Sequence, residues 1–201
     1  MIVVLGRPHA VRPPLQPADA PPVPGGLCVA IARAAVGAGA RVEIVGAIGD
    51  DAAGDAVVVG LARAGVGHAA LLRQPVPARR EGAVPGQAPA VRLDAGDVEL
   101  GLGYILEFGV LVLAEELDPA AEAAALDAAA YRGARVIAVL PTDATPGERL
   151  AATATVVAAP PDDGGAFPEM LGRYAAELER GSAPAESLER AAASVGWERR
   201  S

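Results

Sequence analysis

Three turns gather the residues whose types and spacing could do chemistry. Gly49-Asp50-Asp51-Ala52-Ala53-Gly54-Asp55 places two glycines and three carboxylates directly after the β-branched run Val42 to Ile48. Ligands in open α/β sheets bind beyond the carboxyl ends of strands, so Gly49, Asp50 and Gly54 are candidate substrate contacts. The same pattern serves structure: Asp50 or Asp51 could cap the next helix, and Gly54 would let it pack closely. Pro161-Asp162-Asp163-Gly164-Gly165-Ala166-Phe167 also leads from a strand into a helix. Here Asp162 or Asp163 could act as a general base, with Gly164 and Gly165 as an anion-binding turn. Helix capping is the structural alternative for both aspartates. Gly25-Gly26 opens an Ala-rich stretch, so it could offer backbone N–H groups to a substrate anion or form a tight strand-to-helix turn.

Other chemistries lack their residues. No G-x-x-x-x-G-K-[ST] and no G-x-G-x-x-G follows a strand, so neither a P-loop nor a dinucleotide fingerprint is present. The two histidines, His9 and His68, share no metal-ligand spacing, so no metal is assigned. Ser182, Ser187, Ser194 and Ser201 all lie near the end of the chain, away from both histidines, which disfavours a serine triad. The single cysteine, Cys28, cannot form an internal disulfide and reads as a small buried hydrophobe. The net charge of −8 argues against a nucleic-acid footprint and against an anionic membrane surface, both of which attract clustered bases. No apolar run approaches the length of a membrane span, and the chain reads as cytoplasmic.

The elements that must position these turns form an alternating series. Hydrophobic residues make up 52% of the 201 residues but aromatics only 3%, so the core must be Ala, Val and Leu packed closely. Ile2 to Leu5 reads as a buried strand, and the proline-rich Arg7 to Pro24 as a loop. A helix runs from Gly26 to about Ala38 and stops at Gly39. Strands are expected over Arg41 to Ile48 and Ala69 to Leu72, around a helix from Ala52 to Ala64. Gln74 to Leu93, with several prolines and Arg79-Arg80-Glu81, reads as a lid or edge excursion. Alternation then resumes: helix Asp97 to Phe108, strand Val110 to Ala114, helix from Pro119 after the cap Asp118, strand Arg135 to Leu140. Thr142 to Ala152 is a loop or short helix, Thr153 to Ala159 a strand, and Gly164 to Arg180 and Pro184 to Val195 two closing helices. Such a βαβα series predicts a single three-layer α/β domain, a mostly parallel sheet with helices on both faces.

The stretch Gly25-Gly26 through Ala30, Ala32-Arg33 and Gly39 to Val42, then Val45-Gly46, Gly49-Asp50-Asp51, Gly54 and Gly65-Val66, resembles the N-terminal signature of the ribokinase-like (PfkB) carbohydrate kinase family. Gly164-Gly165-Ala166-Phe167 is similar to the family's C-terminal G-A-G-D-A-F segment. The resemblance implies a sugar or nucleoside substrate bound under a small β lid. It also implies ATP with Mg²⁺ as phosphoryl donor, and an aspartate that deprotonates the accepting hydroxyl. The family's positions are not all kept. Its sugar-contacting asparagine falls on Ala30, its base falls on Gly165, and no aspartate follows the first strand between Gly6 and Val11. The chain is also much shorter than a typical member, with the shortfall expected between Leu140 and Asp162. The expectation is a catalytically impaired relative with a binding or regulatory role. Two alternatives stay open: a minimal kinase using Asp162 or Asp163, and a structural subunit forming a homodimer through Gln74 to Leu93.

Overall fold

The computed structural model describes residues 1–13, 15, 17, 20–75, 91–160 and 165–196. Six parallel strands build its main sheet: β1 (Ile2–Leu5), β4 (Val42–Gly49), β5 (Gly67–Gln74), β6 (Val110–Leu113), β7 (Arg135–Pro141) and β8 (Ala154–Ala159), in the order β5-β4-β1-β6-β7-β8. The helices are α1 (Leu27–Gly37), α2 (Ala52–Arg63), α3 (Ala95–Gly103), α4 (Pro119–Arg132), α5 (Glu148–Thr153), α6 (Ala166–Glu179) and α7 (Pro184–Ser194).

β1 is fully buried, and its side chains divide by the period of two that a strand imposes. Ile2 and Val4 join the core under α1, α2, α6 and α7, whereas Val3 and Leu5 join the core under α3, α4 and α5. Three layers follow, as expected from the alternating series. Each fully buried Val, Leu or Ile in β1 contributes about 1.5–3 kcal/mol to this arrangement. Helix boundaries obey local chemistry. Asp51 caps α2, Asp94 and Asp97 form a reciprocal box at α3, and Asp118 caps α4 ahead of Pro119. Gly133 ends α4 at φ 63°, a left-handed conformation that a Cβ resists.

Two expectations require correction. Arg7 to Pro24 is not all loop: β2 (His9–Val11) and β3 (Val23–Gly25) pair as a separate antiparallel ribbon. Pro24 is tolerated because a two-stranded ribbon leaves half of its backbone N–H positions without a required partner. The helix expected to reach Phe108 stops at Gly103. The Arg132 guanidinium caps it there, donating to the carbonyls of Leu102 and Ile105 at 3.1 and 3.0 Å. The excursion expected over Gln74 to Leu93 lies mostly outside the described residues. Its two flanks meet, since Gln74 Nε2 donates to the Arg92 carbonyl at 3.0 Å and to Asp97 at 2.9 Å. Among the described residues no helix is long and apolar enough to cross a membrane.

The layer formed by α1 and α6 depends on Gly172. A Cβ there would stand 2.5 Å from the Ala34 Cβ and 2.6 Å from the Ile31 carbonyl oxygen. Gly37, in contrast, has open space around it. Helix propensity favours alanine at both sites by about 0.5–1 kcal/mol, so only packing separates them. Gly37→Ala should therefore stabilise the protein by that amount, whereas Gly172→Ala should destabilise it by about 1–3 kcal/mol; urea unfolding of the two variants reads the opposite signs.

Candidate functional site

The site follows from the way the sheet is wound. β1 leads through the β2–β3 ribbon to α1 on one face of the sheet, while its neighbour β6 leads to α4 on the other. Connections that leave adjacent strands toward opposite faces open a crevice at the strands' carboxyl ends. Leu5 pairs with Leu113, and two residues further on the same register places Arg7 opposite Glu115. Arg7 Nε and Nη2 both donate to Glu115 Oε2 at 2.7 Å, an ion pair drawn across the crevice. Both side chains are only partly exposed, 39% for Arg7 and 21% for Glu115, so the pair is less screened than a surface bridge. The carboxylate beside it raises the Arg7 pKa further. Glu115 Oε1, the second oxygen, is buried and has no hydrogen-bond partner among the described residues. A buried acceptor left unpaired costs about 1–3 kcal/mol, so it favours any donor that can reach it.

A cleft of about 610 Å³ opens beside this pair. Leu27 at the start of α1 forms one side, Glu115 and Glu116 follow β6, Thr142 and Asp143 follow β7, and Pro160 follows β8. Thr142 Oγ1 donates to the Ala159 carbonyl at 2.7 Å and so ties the last two strand ends together. The lining is apolar with an acidic rim. It suits hydroxyl or amine donors and disfavours a naked polyphosphate. Among the described residues no three His, Cys, Asp or Glu side chains converge as a cation site.

The residues singled out from sequence lie around this cleft in different ways. Gly26 is the N-cap of α1 at φ 101°, next to Leu27. A Cβ on Gly25 would meet Val11 at 2.6 Å, and one on Gly26 would meet His9 at 3.2 Å. Both glycines thus allow the β2 strand to lie close over the start of α1. The Gly49 turn has a structural role as well. Asp51 accepts from the Gly54 N–H at 2.8 Å, and a Cβ on Gly54 would stand 2.0 Å from the Gly49 carbonyl oxygen. Asp50 and Asp55 are exposed and face Arg73 at 3.5 and 2.7 Å. This turn ends β4, two strands from β6, or roughly 10 Å along the sheet edge from Glu115. Gly165 is the N-cap of α6 at φ 92°. Asp162, Asp163 and Gly164 lie outside the described residues.

Sequence reading missed Arg7, Glu115, Glu116, Thr142 and Asp143. A signal was present, because each is among the first polar residues after an apolar run that forms a strand. Cys28 lies beneath the ion pair, with its Cβ 2.8 Å from where a Gly6 Cβ would be. Burial, reinforced by the Glu115 charge, pushes its thiol from 9.0 up to about 12.

No family model and no curated protein matches the chain. Solved structures do match it. Phosphofructokinase-2 from Escherichia coli, in complex with fructose-6-phosphate, is 16% identical at a TM-score of 0.64, covering 96% of this chain and 92% of that one. The tetrameric inhibited form of the same enzyme gives 16%, a TM-score of 0.65 and coverages of 96% and 92%. An Escherichia coli protein assigned as ribokinase II, in its apo form, gives 15%, 0.64, 98% and 93%. The chain therefore has the ribokinase-like three-layer fold.

Two measurements test the site's electrostatics. Above the ordinary thiol range the unfolded chain gives up a proton that folded Cys28 keeps. Stability should then fall as pH rises from 9.0 toward about 12, by about 1.4 kcal/mol per unit, and denaturant melts of Cys28→Ala should lose that component of the slope. In the second, Arg7→Met alone should cost about 1–2 kcal/mol by leaving Glu115 unpaired, and adding Glu115→Leu should recover most of it; a double-mutant cycle of unfolding free energies reads the coupling.

Proposed function

We propose that this chain is a PfkB-like relative of the carbohydrate kinases. Its crevice binds a small hydroxyl-rich molecule, a sugar or nucleoside, and its capacity for phosphoryl transfer is impaired. The single observation that carries the binding half is the Glu115 oxygen, without a partner among the described residues, on a residue that lines the switch-point cleft. Arg7 holds that carboxylate in one orientation and offsets its charge, leaving Oε1 to accept a hydrogen bond. Leu27 and Leu140 supply apolar surface for the C–H faces of a ring, and the Thr142 hydroxyl lies on the same wall. The fold supports the substrate class by analogy, since one solved relative holds fructose-6-phosphate and another, ribokinase II, was solved with ATP and Mg²⁺.

Impairment rests on what stands where the family keeps its base. Phosphoryl transfer depends on positioning and on charge placed where the transition state needs it. At the N-terminus of α6 the resemblance puts the base on Gly165, which has no side chain to take a proton. The acidic rim of Glu116 and Asp143 further opposes a polyphosphate unless a cation accompanies it. With ligand held and transfer impaired, the site would act as a sensor or regulatory pocket.

Titration calorimetry with ribose, fructose, adenosine and MgATP separates the parts of this reading. At least one neutral ligand should bind, and the Arg7→Met/Glu115→Leu double variant should weaken it about tenfold or more. A coupled phosphotransfer assay over the same panel should stay at background. If neither sugar nor nucleoside binds at millimolar concentration, the ligand assignment is wrong. Turnover that disappears in Asp162→Asn or Asp163→Asn would show an active minimal kinase instead.

A further inference from the structure

We propose that the cavity at the amino ends of β1, β4, β5 and β6 binds an aromatic α-amino acid, held by its carboxylate, its ammonium group and its ring. The inference stands apart from the functional reading, because the crevice lies at the other ends of the same strands. Met1 and Arg7 stand about 20 Å apart along the line of β1.

The cavity holds about 950 Å³. Arg41 and Glu43 at the start of β4 line one side of it, and the loop from Tyr104 to Gly109, which joins α3 to β6, lines the other. Arg132, at the end of α4, lines it as well.

Arg132 supplies the first observation that points to a ligand. Its guanidinium donates to the carbonyls of Leu102, Ile105 and Ala128 and lies 5.0 Å from the centroid of the Phe108 ring. Carbonyls take its hydrogens without carrying a net charge, and the roughly half charge at the end of α3 answers only part of a full one. Among the described residues no carboxylate pairs with Arg132, and its Nε is buried with no hydrogen-bond acceptor. A half-buried cation without a counter-ion favours an anion beside it. The exposed Arg41 side chain has no carboxylate partner among the described residues either.

The same cavity carries negative charge on Glu43 and Glu107. The Glu43 carboxylate accepts the Ala69 N–H, and exposed Glu107 has no partner among the described residues. No ion pair joins these two glutamates to the two arginines, so the charges of opposite sign stay apart.

Charge complementarity then selects the occupant. A simple anion would meet both glutamates as well as both arginines, and a simple cation the reverse. A zwitterion answers both signs, with its carboxylate toward Arg41 and Arg132 and its ammonium toward Glu43 and Glu107. The loop sets the rest of the molecule. Tyr104 is 67% exposed and Leu106 87%, beside the buried Ile105 and Phe108. An aromatic ring would cover that apolar rim and stack where Phe108 and Tyr104 already present rings.

Titration calorimetry of the full chain with L-phenylalanine, 3-phenylpropionate and phenethylamine compares one ring bearing both charges, the carboxylate alone and the ammonium alone. L-Phenylalanine should bind at least about tenfold more tightly than either analogue. Arg41→Gln and Glu107→Gln change exposed side chains, so each should keep the thermal melt. Each should also weaken L-phenylalanine about tenfold, to the level of the analogue that lacks the matching charge. Backbone amide NMR shifts on adding L-phenylalanine should move at Tyr104 to Gly109 and stay still at Arg7 and Glu115. No binding of L-phenylalanine at about 10 mM, equal binding of either analogue, an affinity untouched by both substitutions, or shifts confined to the crevice would each overturn the proposal.

Discussion

Ile2 to Leu5 is buried on both faces and bonded on both edges, in register with Val42 to Val45 on one side and Val110 to Leu113 on the other. A strand with no polar side chain on either face has no stable position except the middle of a parallel sheet. The remaining geometry descends from that constraint. With β1 central, the chain winds outward first through β4 and β5, then returns and winds through β6, β7 and β8. The reversal separates the loops after β1 and β6, and the gap is bridged by Arg7 and Glu115 because both continue strands already in register. An apolar interaction thus decides where the partly buried Arg7–Glu115 pair of the crevice must sit.

Much of the fold is legible from sequence because parallel strands, covered on both faces, read as unbroken apolar runs. Val110 to Leu113 and Val136 to Leu140 are visible for this reason. Stops are visible too, since Gly39, Gly65 and Gly133 adopt positive φ where a helix must turn back. The β2–β3 ribbon is not legible. Three residues give no measurable period, and Pro24 argues against a strand unless the absence of a further neighbour is known. The crevice was half legible. The rule that ligands gather at strand ends pointed to the Gly49 turn, where Asp51 also caps a helix and Asp50 and Asp55 face Arg73. It pointed equally to Arg7 and Glu115, but these stand 108 residues apart, and no local spacing links them.

Glycine placement shows how little slack the architecture has. Gly46 admits the Gly6 carbonyl, Gly54 admits that of Gly49, and Gly101 lets α3 lie on Val45. A core poor in aromatics brings backbone close to backbone, so its specificity lies in where side chains are missing as much as in which are present. The same closeness gives the crevice firm walls. Gly6 is confined between Cys28 and Ala114, and Arg7 therefore leaves the sheet in one direction.

The seating of α6 on α1 has a kinetic consequence. Ile31 and Ala35 emerge early in synthesis, but the surface that shields them, including Leu171, Gly172 and Ala175, is made near the end. Until then the nascent half-domain exposes an oily helix face, the kind of surface that promotes aggregation. Contacts of such long sequence separation slow the search for the native state. A chain severed between β5 and α3 would give two pieces that are each unstable, yet able to reassemble when mixed.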